Sequence, residues 1–175
     1  MKILETERLI LREVDAELDA AFMNALLNSP KFLKYIGDRG VRSVAEAGVF
    51  IEDKYRQSYR DNGFGLYTVE LKADGTPVGI CGFVKRDTLP GPDIGFAFLP
   101  EHERLGFGYE SAEAVLRFGR INLGFDRVFA ITSPGNDASE KLLAKLGFVA
   151  RGTVEQAAGT INLFEITLAP KPSSV

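Results

Sequence analysis

Cysteine is nearly missing from this chain, and histidine with it. Cys81 is the only thiol in 175 residues, so no internal disulfide can form. It lies in the apolar run GICGFV with no histidine or cation beside it, and reads as a buried structural thiol rather than a nucleophile. His102 is the only histidine, which excludes a multi-histidine metal centre, and no metal is expected. A Ser-His-Asp hydrolase would have to use that one histidine, and no G-x-S-x-G elbow is present. A run of about 18 apolar residues is also missing, so no segment is expected to span a membrane. The start, MKILETERLI, carries Glu5 and Glu7 and lacks a small-residue cleavage site. It does not read as a signal peptide, and the cytoplasm is the expected location. Basic charge is short as well: 24 acidic residues against 21 lysines and arginines leave a net charge of -3. With no basic stripe, nucleic acid is not an expected partner. Small anions remain possible, because backbone amides bind phosphate without net positive charge.

What is present is the balance of an ordinary globular protein, 45% hydrophobic and 26% charged, in a length that suits one domain over residues 1–175. Residues 170–175 are expected to form a loose tail. ERLILREV (7–14) predicts a first strand. Asp15 is placed to cap the helix that follows, where Leu18, Ala21, Phe22, Ala25 and Leu26 share one face until Pro30 stops it. Val44, Ala47, Ile51 and Tyr55 form a second apolar stripe, and Ser43 with Glu46 fits a capping box at its start. The period then changes. FGLYTVEL (64–71) and VGICGFVKR (78–86) read as a hairpin around Asp74-Gly75. DIGFAFLP (93–100) is a third extended run. The next helix has Ala112, Val115, Leu116 and Leu123 inward and Gly124 at its end. DRVFAIT (126–132) is a strand, and NDASEKLLAKLGF (136–148) a helix with Leu142, Leu143 and Leu146 apolar and Gly147 closing it. FVARGTVEQ and TINLFEITL form a last hairpin. The order β-α-α-β-β-β-α-β-α-β-β makes an α/β chain of the α+β type. Its sheet is mostly antiparallel, with one parallel pair from the crossover over 93–132.

One segment stands out, PEHERLGFGYESAEA (100–114). Gly106 and Gly108 lead into a helix, and a helix start leaves about four amides without partners. Glycine lets backbone approach a ligand closely, so several N–H groups can converge on a pyrophosphate. A plain strand-to-helix joint explains two glycines equally well. The Rossmann fingerprint fails, because Ser111 stands where a third glycine is required, and no Walker A loop is present.

The order of elements, with DIGFAFLPEHERLGFGYESAEAVL and ITSPGNDASEKLLAKLGF, resembles the GNAT superfamily of acyl-CoA-dependent N-acetyltransferases. ETERLILRE and the closing LAKLGF resemble its ribosomal-protein N-acetyltransferase branch. The resemblance runs from about Glu5 to Leu168. It implies a GNAT fold with a splayed parallel strand pair, acetyl-CoA as cofactor, and transfer of its acetyl group to a primary amine. The family's phosphate loop, [QR]-x-x-G-x-[GA], falls on Glu103-Arg104-Leu105-Gly106-Phe107-Gly108 and departs from the pattern at Glu103. An acid near a pyrophosphate is unfavourable unless it points away, and Arg104 is the expected compensating cation. Cofactor contacts are implied for Arg104, Leu105, Gly106, Phe107, Gly108 and Tyr109, for Phe98 and Leu99 with nearby Ala97 on the splayed strand, and for Asn136 and Ser139.

Direct attack of an amine on a thioester needs a neutral amine, a donor for the oxyanion and a proton for the leaving thiolate. The resemblance implies a backbone donor on the splayed strand and Ser139 or a water as the acid, since Leu143 stands where other branches carry a tyrosine. Helix capping also accounts for Asn136, and a polar first-turn position for Ser139. Asp93, where relatives often carry Glu, is the implied base. A solvated turn residue is the other reading of it. Glu110 reads as a helix N-terminal charge. Phe96 and Phe98 read as core side chains, and Tyr35, Tyr67 and Glu165 as acceptor-pocket candidates. The expected acceptor is a protein N-terminal α-amine or a small-molecule amine. A non-catalytic acyl-CoA sensor or assembly domain and an aminoglycoside-type acetyltransferase are the alternatives. The chain is expected to be a monomer or homodimer.

Overall fold

The computed structural model describes residues 1–168, so the expected tail at 170–175 lies outside it. Eight strands are described: β1 (Lys2–Glu5), β2 (Leu9–Glu13), β3 (Leu66–Leu71), β4 (Pro77–Val84), β5 (Asp93–Phe98), β6 (Arg127–Thr132), β7 (Val149–Gln156) and β8 (Gly159–Thr167). They form one sheet in the order β1-β2-β3-β4-β5-β6-β8-β7. Every neighbouring pair is antiparallel except β5 with β6. This is the mixed sheet with one parallel pair that the sequence implies. β1 is an addition: its four residues carry charge at both ends and too short an apolar run to read as a strand.

Helices cover both faces of the sheet. One face packs under α4 (Phe107–Asn122) and α5 (Asp137–Leu146), where Leu11, Val69, Phe83, Val115 and Leu143 are buried. The other packs under α1 (Ala20–Leu27), α2 (Val44–Phe50) and α3 (Gln57–Asn62), where Met23, Leu26, Ala47, Ile51 and Ile80 are buried. A π-helical turn, Phe32–Ile36, follows α1, and a second, Ile51–Arg56, joins α2 to α3. Alternation sorts β5 between the two cores: Ile94, Phe96 and Phe98 face α4, while Ala97 and Leu99 face α1–α3.

Ser43 Oγ accepts from Glu46 N at 3.1 Å, as the capping pattern predicts, although the Glu46 carboxylate reaches back to Arg42 N. The first helix departs from expectation. Asp15 accepts from the amides of Glu17 and Leu18 in a turn before the helix, and α1 begins only at Ala20. Leu18 is 79% exposed, and the inward face is Phe22, Met23, Leu26 and Leu27. The physical reason is Asp19. Its buried carboxylate takes both terminal nitrogens of Arg12 at 2.8 Å and the hydroxyl of Thr68, which fixes the roll of the helix.

Candidate active site

β5 and β6 share a single register pair, Asp93 with Phe129, and then diverge. Register decides which backbone groups line the resulting V. Leu99 N donates to Val78 O at 2.9 Å, so the Leu99 N–H and the N–H and C=O groups of Ala97 and Gly95 point toward β4. Those of Phe96 and Phe98 therefore point toward β6. Phe129 N, which donates to Pro92 O, confirms the parity at the closed end. On the opposite arm, Leu168 N donates to Asp126 O, so Val128, Ala130 and Thr132 face β8 and Ile131 faces the V. The open end of the V thus presents two strand edges whose hydrogen-bonding groups have no partner among the described residues. The sequence expectation is corrected at Leu99: its N–H is taken by Val78, and its carbonyl accepts from His102 N at 2.9 Å. Phe98 and Phe96 are the β5 residues whose backbone groups turn toward β6. The side chains of both pack in the core under α4, as expected.

The chain leaves β5 through a 3-10 turn, Pro100–His102, and enters α4 at Gly106, whose φ of +85° suits glycine. Arg104 also holds a positive φ, +62°. The first intrahelical bond is Glu110 N to Gly106 O. Before it, the six N–H groups of residues 104–109 donate to no protein acceptor among the described residues. Six successive free amides, folded by two left-handed residues at a helix start, are an arrangement with the chemistry to accept an anion. Gly108 serves close packing: a Cβ there would stand 3.1 Å from Leu142 Cδ2, so a larger residue would require the Leu142 side chain to shift.

Both acids of the loop are neutralised. Lys31 Nζ donates to Glu103 Oε2 at 2.6 Å, so Glu103 is drawn toward the turn after α1. The compensating cation is Lys31, not Arg104. Glu110 accepts from Arg8 Nε at 2.7 Å, Arg8 N at 3.0 Å and Thr6 Oγ1 at 2.5 Å. Burial works against its charge, but the bonds from Thr6 and Arg8 together hold its carboxyl below the usual range. Glu110 is a helix N-terminal charge, as expected, with a partner that the sequence did not single out.

Across the V, Asn136 Oδ1 accepts from Ser139 N at 3.4 Å and caps α5. Its Nδ2 and the Ser139 hydroxyl have no protein partner among the described residues. Thr132, at the end of β6, donates to Glu140 at 3.0 Å and ties α5 to the open end of the V, so Ser139 and Phe98 belong to the same end.

Asp93 does not. It opens β5 at the closed end, is 1% exposed, and takes Arg86 Nε at 3.1 Å. Five residues of extended strand, roughly 16 Å, separate it from Phe98. Burial pushes its carboxyl up to about 6, with Arg86 opposing. The expectation of a solvated turn residue is corrected: Asp93 is a buried, Arg86-paired carboxyl at the start of the splayed strand. Tyr67 is buried and stacked on Tyr59 at 5.5 Å between ring centroids, so it is a core residue. Glu165 bonds Arg151 and pairs with Arg127 beside Phe129, again at the closed end. Tyr35 remains at the open end, where Ser133 Oγ donates to its carbonyl at 2.6 Å. Cys81 is buried and its thiol is pushed up to about 12 by burial, as a structural cysteine should be. Two concavities of about 430 and 420 Å³ lie elsewhere, one by Arg12 and Asp19, the other by Val41 and Phe50. Neither includes a residue of the V.

Residues 8–149 match the family described as acetyltransferase (GNAT) domain. An uncharacterized N-acetyltransferase, YoaA of Bacillus subtilis (strain 168), is 30% identical over 155 residues, covering 88% of this chain and 86% of the relative. Among solved structures, RimL, a ribosomal alpha-N-protein acetyltransferase in complex with coenzyme A, superposes with a TM-score of 0.81 at 16% identity, over 95% of this chain and 98% of that one. A spermidine N-acetyltransferase from Vibrio cholerae in complex with CoA and spermine gives 0.74 at 18% identity, over 93% and 96%. At these identities the two structures speak for the fold alone.

Proposed function

We propose that this chain, which belongs to the GNAT acetyltransferase family, moves the acetyl group of acetyl-CoA to an α-amine, at a protein N-terminus or on a small molecule. The observation that carries the cofactor reading is the run of six free amides at the start of α4, set beside a strand edge with its own groups free. A diphosphate and an amide-bearing arm fit that pair of surfaces. Relatives crystallised with coenzyme A support the same reading.

When bound, acetyl-CoA supplies an acyl group activated as a thioester. The amides of residues 104–109 would hold its diphosphate. The backbone of Phe96 and Phe98 would pair with its pantetheine arm and offer an N–H to the developing oxyanion. Asn136 Nδ2 would add a contact to the arm, and Ser139 would protonate the departing sulfur. Asp93, buried against Arg86, is assigned to anchoring the closed end of the V rather than to taking the amine's proton. Placement of both substrates then carries much of the rate. With Asp93 at the closed end and the Glu140 carboxylate engaged by Thr132 and Asn162, this reading gives no carboxylate the part of base, and the acceptor would arrive neutral. At pH 7 roughly a tenth of an α-amine with an ordinary pKa near 8 is neutral, against under ~0.1% of a lysine-type amine. That difference favours α-amines.

The test is thiol release from acetyl-CoA with a panel of peptides of free and blocked N-terminus, and with polyamines and aminoglycosides. Release that requires a free α-amine supports the reading. Tight coenzyme A binding with no turnover on any amine would leave a sensor in place of an enzyme, and preference for polycations would exclude the α-amine assignment.

A further inference from the structure

Arg8 lies in the turn between β1 and β2, 97 residues before the loop it touches. Nη1 donates to Leu105 O at 3.0 Å, inside the amide cradle. Nε donates to Glu110 Oε1 at 2.7 Å, one helical turn into α4. Between these two anchors the guanidinium lies 4.6 Å over the ring of Phe107. Three successive parts of the loop-to-helix joint are therefore held by one planar group, which a flexible ammonium could not do.

Two features go beyond holding. Nη2 has no protein partner among the described residues, and a Cβ on Gly106 would stand only 3.1 Å from it. Arg8 thus brings an unspent N–H pair to the edge of the six free amides. Glu110 would otherwise oppose an anionic ligand in the first turn of α4. Arg8 cancels that charge where the helix start must attract phosphate.

We propose that Arg8 is a positioning residue for the diphosphate of the acyl-CoA: it sets the geometry of residues 104–109, neutralises Glu110 and lends the cradle its side-chain cation. This rests on the cofactor reading above. Arg8 acts on binding, with no part in the acyl transfer itself.

Calorimetric titration with coenzyme A tests it. Arg8→Ala is expected to raise Kd about tenfold or more, the worth of a charge-assisted hydrogen bond. KM for acetyl-CoA should rise with it while kcat stays near wild type. Arg8→Lys keeps the charge and loses the fork, and should fall between the two. Arg8→Ala with Glu110→Gln should bind better than Arg8→Ala alone, because the uncancelled carboxylate is gone; a purely structural loss would not recover. Because the diphosphate is the target, 3′-dephospho-CoA should show the same fold-loss as coenzyme A. A loss that vanishes with 3′-dephospho-CoA would assign Arg8 to the other phosphate and overturn the proposal. So would wild-type affinity in both Arg8→Ala and Arg8→Lys. Failure of the unsubstituted protein to bind coenzyme A would instead remove the cofactor reading, and this inference with it.

Discussion

Asp93→Asn separates a buried anchor from a catalytic base with one substitution. The carboxyl is 1% exposed and its pKa rises from the ordinary 3.8 to about 6, first because burial disfavours the charge. Arg86 offsets only part of that cost. The folded state therefore holds the proton more tightly than the unfolded chain does. The stability gained from this is complete below pH 3.8 and is lost as pH rises through 6. A change from 3.8 to about 6 corresponds to about 3 kcal/mol. Asparagine keeps the shape and cannot ionise. The variant should gain on the wild type by roughly 2–2.5 kcal/mol between pH 4 and pH 7. Urea unfolding at several pH values in that window measures the difference. Turnover of the variant, followed by thiol release, should stay within a few-fold of wild type, because the group sits at the closed end of the V. A stability difference that is flat from pH 4 to pH 7 would refute the buried-charge argument. Loss of turnover in a folded variant that binds coenzyme A normally would restore Asp93 as the base.

The other expectations are more local. Ser139→Ala should lower kcat by about 10²-fold and leave coenzyme A affinity unchanged, as steady-state kinetics and titration will show. Lys31→Ala frees Glu103 beside the cradle and should weaken coenzyme A binding by up to about fivefold, with Glu103→Gln in the same chain restoring it. Gly106→Ala forces an alanine to a φ of +85° and should cost about 1–2 kcal/mol in thermal unfolding while raising the coenzyme A Kd.

Local chemistry wrote much of this protein into its sequence. Short apolar and β-branched runs bounded by turn residues mark β3 through β6, strands that helices cover on both faces. Apolar spacing and terminal glycines fix α4 and α5 in the same way. Gly106 and Gly108 mark the joint into α4, since a left-handed turn suits glycine and a close helix contact favours a small residue. The family pattern around them could be read because its residues are adjacent in the chain. Asn136 as a helix cap is likewise a matter of three residues.

What the sequence could not decide depends on partners far away in the chain. Whether Phe98 or Leu99 offers a free amide turns on the register of β5 against β4, which one residue of slip would reverse. Glu103 looked like a defect in the loop because Lys31, which draws it aside, is 72 residues away. Asp93 looked exposed among prolines and glycines, yet the sheet closes over it and Arg86 takes its charge. Arg8 stood within a recognisable motif, but nothing local revealed that it reaches Leu105 and Glu110. The roll of α1 was set by Asp19 finding Arg12 and Thr68 across the sheet, which keeps Phe22 and Leu26 of the expected face inward but brings in Met23 and Leu27 in place of Leu18, Ala21 and Ala25. Sequence fixes periods, turns and caps, because those are energies between near neighbours. Charge pairing, burial and the direction of a free amide are energies between strangers in the chain, and only the folded sheet brings them together.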